Sequence, residues 1–192
     1  ASPSIDHSIK FRDSLRYARE NKIPIVVCSI VKNNNLTRVL NGKGSYTIIS
    51  RDIGTTNGWA SEKWGLSYPV DQPVSETLAI DFDALIVPGG ANQIETLSND
   101  LHVRRILRAF LRENEPDALA GVSTSLLTTI DAAKGRKIAA SDADSALLIA
   151  AGAEIIDKPT VRDKNLISAT SGESGISDLL EMLAQAIKEN NN

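Results

Sequence analysis

The stretch Asp117–Leu127, DALAGVSTSLL, has the form of a buried strand running into a helix with a glycine at the corner. Such junctions hold the nucleophile in many α/β enzymes, because a sharp turn lifts one side chain above the sheet. Here the corner residue is Gly121, which has no side chain. The nearest hydroxyls are Ser123, Thr124 and Ser125. A serine attacks only with a base beside it. The two histidines, His7 and His102, lie far from this stretch in sequence, and His102 opens a different helix. A serine hydrolase is therefore the weaker reading, and the hydroxyls are better assigned to satisfying backbone donors at the helix start.

Other residues offer less. The single cysteine, Cys28, excludes an internal disulfide framework and a cysteine-based zinc site. It sits inside the apolar run IPIVVCSI, which favours a packed strand thiol over a reactive one. His7 and His102 make no metal-ligand pattern, and no metal or cofactor is expected. The segment NGKGS lacks the spacing of a phosphate loop. Trp59 and Trp64 are expected to pin an irregular loop rather than to form a binding face. Arg104, Arg105, Arg108 and Arg112 run along one helix and are expected to be its solvated face.

A net charge of −3 supplies no strong field for nucleic acid or anionic lipid, so neither is expected as a partner. No apolar stretch approaches the roughly 20 residues of a membrane helix. A cytoplasmic location is the expectation, although the start at Ala1 rather than Met leaves a removed leader open. The sequon at Asn35 is short enough to occur by chance.

The elements that must position the corner follow from periodicity. Ile5–Asn21 has helical amphipathicity, Ile23–Ile30 is a continuous apolar strand, Leu36–Asn41 allows a turn or two of helix, and Tyr46–Ser50 is a second strand. Gly54–Tyr68 is an irregular or hairpin excursion. Asp83–Val87 is a buried strand, Pro88-Gly89-Gly90 a turn and Leu101–Arg112 an amphipathic helix. Ala118–Ala120 is the next strand and Ser123–Ala133 the helix after the corner. Lys137–Ala140, Thr160–Arg162 and Leu166–Ser168 suit short strands, while Ser145–Ala151 and Ser177–Lys188 suit helices.

At 192 residues and 42% hydrophobic, the chain suits one compact domain. Residues 1–22 read as an N-terminal helical extension and 23–189 as the domain. Strands alternating with helices predict an α/β fold, an open and mostly parallel sheet with helices on both faces.

Several segments, in order and at compatible spacing, resemble the DJ-1/PfpI family of class I glutamine-amidotransferase-like proteins. They are GWASEKWGLSYPVD, DFDALIVPGG, DALAGVSTSLL, AAKGRKIAA, AGAEIID with TVRDKNLISAT, and SDLLEMLAQAI, spanning Gly54 to Ile187. The first of these is most similar to the PfpI branch. The resemblance implies a flavodoxin-like fold with its site where the C-terminal ends of the strands meet the helices, the usual place for ligands in open α/β sheets.

In catalytic members of that family a cysteine stands at the elbow, followed by histidine and glycine, and a glutamate approaches from the loop after the first strand. Counting back from Gly135-Arg136-Lys137 puts Gly121 at the cysteine's position, Val122 at the histidine's and Ser123 at the glycine's. No acid occurs between Ile23 and Ser50, so the glutamate has no counterpart. The resemblance thus implies a catalytically degenerate member with no catalytic residues.

The elbow's N–H groups at Gly121, Val122 and Ser123, with Gly90 of the facing turn, are left as candidates for holding a small anionic ligand. The expected roles are non-enzymatic: a stress-related holdase acting on client proteins, an interaction module or a small-ligand sensor. The family also implies a homodimer. The alternative is a hydrolase or glyoxalase/deglycase-like enzyme working through non-standard residues.

Overall fold

The computed structural model describes residues 27–29, 47–60, 63–170 and 173–190. The expected helices over Ile5–Asn21 and Leu36–Asn41, the N-terminal extension, His7 and the Asn35 sequon lie outside the described residues.

The centre of the molecule is a seven-stranded sheet in the order β10-β11-β7-β6-β1-β2-β5. Its strands are β1 (Val27–Ser29), β2 (Thr47–Ser50), β5 (Gln72–Pro73), β6 (Ala84–Val87), β7 (Asp117–Ala120), β10 (Thr160–Asp163) and β11 (Leu166–Ala169). β6, β7 and β11 run parallel, as do β2 and β5. The sheet is nonetheless more mixed than the alternating pattern suggests, because β1 pairs antiparallel with both β2 and β6. β10 and β11 are joined by the two residues Lys164-Asn165, and so short a link permits only an antiparallel pair. Cys28 is placed on β1, in register with Leu85 and Thr47, which puts it inside the sheet rather than at an edge.

Period-two alternation sorts the strands onto two cores. Leu85, Val87, Leu119 and Leu166 point to one face. Ala84, Ile86, Ala118, Ala120, Ile167 and Ala169 point to the other. The leucine-rich face is covered by α1 (Ala91–Ser98), α2 (Leu101–Glu113), the helix after the elbow and α3 (Asp142–Ala150). The alanine-rich face is covered by α4 (Glu173–Asn190) through Leu179, Leu183, Ala186 and Ile187, a spacing that keeps one stripe on the sheet. The fold is α/β, with helices on both faces as expected.

α2 shows why its residues form a helix where they do. Val103, Ile106, Leu107 and Phe110 are buried at helical spacing. Asp100 caps the start, its carboxylate accepting the N–H groups of His102 and Val103. Asn114 ends it in a left-handed turn, φ 62°, donating to the Phe110 carbonyl.

The arginine face of α2 is not simply solvated. Arg104 donates twice to the Ser98 carbonyl at the end of α1. Arg105 reaches the carbonyls of Val74, Ser75 and Thr77. Planar guanidinium forks suit such carbonyl clusters, and here they fasten neighbouring turns.

The excursion after β2 is a hairpin, β3 (Thr55–Ala60) with β4 (Lys63–Pro69), carrying a register shift between Asn57 and Trp59. Trp59 and Trp64 stand in register across it. A second small ladder joins β8 (Lys137–Ile138) to β9 (Glu154–Ile155). Among the described residues no helix is long and apolar enough to cross a membrane.

Candidate functional site at the Gly121 elbow

The corner is built as its sequence suggests. Ala120 is still extended, φ −110° and ψ 132°, and Gly121 then turns to φ 57°. That left-handed value is strained for any residue with a Cβ, so glycine suits the turn by its backbone alone. Gly121 is buried, Val122 is half-buried and packs against the leucine-rich core, and Ser123 is fully buried.

The facing turn presses closely on this corner. Gly90 starts α1 with φ 152°. It is Gly89, however, that makes the approach: a Cβ there would lie 2.9 Å from the Ala120 carbonyl oxygen and 3.6 Å from the Val122 nitrogen. Gly89 was not among the residues picked from the sequence. Its signal is the glycine doublet after Pro88, since only one of the two is needed to turn the chain.

The helix after the elbow differs from expectation. Gly121–Ile130 is a 3₁₀-helix of 10 residues, whereas runs beyond three or four are uncommon. Its hydroxyls supply the reason. Ser123, Thr124, Ser125, Thr128 and Thr129 each donate to the carbonyl three residues back, at 2.6–2.9 Å. Side-chain bonds of this kind compete with the α-helical pattern and favour the tighter turn. The hydroxyls therefore do not accept from the backbone donors at the helix start, as the sequence had suggested. Ala120 occupies the cap position and makes no side-chain cap.

Ser123 has a further tie. Its Oγ also lies 2.8 Å from the Val87 carbonyl at the end of β6, so one proton serves two carbonyls. A hydroxyl that is fully buried and already donating is a poor nucleophile. His102 is exposed in the first turn of α2, and no base approaches Ser123 through a hydrogen bond among the described residues. Among those residues, no three His, Cys, Asp or Glu side chains gather for a metal ion. What the corner presents is backbone: a tight turn, a helix start and the close-packed glycine turn facing it.

The family follows from comparison with known proteins. The model of the DJ-1/PfpI family matches residues 34–187. The chain belongs to the DJ-1/PfpI family. The match begins about twenty residues before the span visible in the sequence motifs, taking in part of the segment between β1 and β2.

Among relatives, the chain is 30% identical over 123 residues to protein/nucleic acid deglycase 2 of Escherichia coli, covering 64% of this chain and 71% of that one. It is 32% identical over 112 residues to deglycase PfpI of Pyrococcus furiosus, covering 58% and 67%. Among solved structures it resembles a two-domain protein from Anabaena variabilis with DJ-1/ThiJ/PfpI-like and ferritin-like domains. The TM-score is 0.70 at 19% identity, over 81% of this chain and 42% of that longer one. The flavodoxin-like architecture expected of the family is present.

Proposed function

We propose that this chain is a DJ-1/PfpI domain that works without the family's nucleophile, as a binding or chaperone-like protein. The observation that carries the reading is Gly121 itself, the corner residue at φ 57° with no side chain to attack anything. Two neighbours support it. Val122 packs into the core as an apolar side chain, and Ser123 spends its proton on main-chain carbonyls. The corner's N–H groups with Gly90 form the candidate cradle for a small anion such as a carboxylate. A stress-related holdase role on client proteins fits the same absence of chemistry. A twofold homodimer is the proposed assembly, as symmetric pairs are the commonest oligomers.

The names of the two deglycase relatives favour a second reading, turnover of a carbonyl-bearing substrate by residues other than a cysteine. One assay separates the readings. Wild-type protein is offered methylglyoxal and a model ester, with Ser123→Ala in parallel. The binding reading expects no turnover above the buffer. Robust turnover by wild type that is lost in Ser123→Ala would establish the enzyme. Sedimentation at micromolar concentration reports the assembly, and a monomer there would count against the dimer.

A further inference from the structure

The end of the sheet opposite the elbow holds a group that the binding reading does not use. Asp117 opens β7 with no exposure to solvent. In register it stands between Leu85 of β6 and Leu166 of β11, and its side chain shares the leucine-rich face with Leu119. Neither carboxyl oxygen has a hydrogen-bond partner among the described residues. An ionised carboxylate so placed would be very costly, whereas a neutral acid is tolerable.

Among the described residues, Arg136 is the cation whose charge acts on it. Arg136, just ahead of β8, donates to the Asp163 carbonyl at 3.0 Å and reaches Asn165 Oδ1 at 3.5 Å. Asn165 in turn accepts the Asp117 N–H through its carbonyl and donates its amide to the carbonyls of Phe110 and Glu115. The β10–β11 turn, the end of α2 and Asp117 are thus fastened through one asparagine. Burial pushes the Asp117 carboxyl up to about 8, while Arg136 pulls in the other direction.

The other charges nearby are mostly committed. Glu115 accepts from Asn190, Arg112 pairs with Glu113, and Asp163 accepts the Lys137 N–H. Arg108 and Lys164 are exposed, and Asp83 lies two residues ahead of Leu85, the β6 partner of Asp117.

We infer that Asp117 and Arg136 form a proton-operated switch at the N-terminal ends of the strands. With its proton, the carboxyl lies neutral among leucines and Arg136 holds the β10–β11 turn. Without it, the carboxylate draws Arg136 toward itself, and the turn loses that donor. The sign follows from where the proton is held. Below an ordinary carboxylate pKa both folded and unfolded chains are protonated. From about pH 4 to about pH 8 only the folded chain keeps the proton, so stability falls as pH rises through this window and levels off above it.

The test uses the full chain. The ¹³Cγ resonance of Asp117 should report a protonated carboxyl at pH 6. Between pH 5 and 7.5 the unfolding constant should rise about tenfold per pH unit beyond that of Asp117→Asn, the linkage of one proton. Asp117→Leu, matched to its flanking leucines, provides a second comparison if a buried amide fails to fold. Amide protection factors at Asn165 and Lys137 should drop on going from pH 6 to 9 in wild type but not in the variant. An ionised Asp117 at pH 6, a wild-type pH slope equal to that of the variants, or unchanged protection at the turn would each overturn the switch.

Discussion

The Ser123 hydroxyl donates to the carbonyl of Val87, a residue 36 positions earlier, at 2.8 Å. This bond rivets the elbow to the end of the adjacent strand. Ser123→Ala should cost about 1–3 kcal/mol, because a buried carbonyl loses its donor and nothing replaces it. Denaturant titration checks the figure. A change within a few tenths of a kcal/mol would mean that Val87 finds another partner.

The two glycines at the corner should respond differently to a methyl group. Gly121→Ala meets a backbone penalty at φ 57°, roughly 1–2 kcal/mol. Gly89→Ala meets the Ala120 carbonyl at 2.9 Å, a main-chain atom that cannot swing away. It should cost about 1–3 kcal/mol and displace the turn. Shifts of the Ala120 and Val122 amide resonances in Gly89→Ala are the expected signature, and unshifted resonances would show that the turn absorbs the methyl.

Restoring sulfur alone should not restore chemistry. In Gly121→Cys the thiol gains acidity from the helix start but has Val122 beside it in place of a polar partner. Catalytic groups acting as a unit are strongly non-additive, so one member recovers little. Glyoxal and ester assays should stay near the wild-type baseline. Robust turnover by this variant would reveal an acid within reach of position 121.

Arg105 should act on mobility more than on global stability. Its guanidinium holds the Thr77 carbonyl at 2.8 Å and those of Val74 and Ser75 at 3.4 Å. Arg105→Ala is expected to speed amide exchange around Thr77 severalfold while the unfolding midpoint moves little, since the residue is exposed and such bonds contribute about 1 kcal/mol or less. Asp100→Ala, by contrast, removes a helix cap and should lower global stability by about 1 kcal/mol.

The parts legible in the sequence are those where one force dominates. Continuous apolar runs marked β6 and β7, and helical spacing marked α2 and α4, because burial alone decides them. α1 was missed, since among its described side chains Ile94 and Leu97 are the buried ones, and two such residues make no period. The strand expected over Ala118–Ala120 begins one residue earlier, at Asp117, a buried carboxylate of a kind rarely found among leucines. The 3₁₀ form of the elbow helix escaped notice for another reason. It depends on which atoms the serine and threonine hydroxyls bond, and residue type alone leaves that choice between capping and back-bonding open. At the corner, the sequence points to Gly121 and Gly90, whereas the close approach of Gly89 across 31 residues is marked locally by nothing more than the glycine doublet.

A corner of glycine is also immune to oxidants. A low-pKa elbow thiolate invites stepwise oxidation to sulfenic, sulfinic and sulfonic acids. Gly121 offers peroxide nothing to attack. The chain's only sulfur atoms belong to Cys28 on β1 and Met182 on α4, neither of them part of the elbow segment. A ligand of the kind proposed for the elbow would therefore meet a corner with no sulfur to oxidise, before and after an oxidative burst.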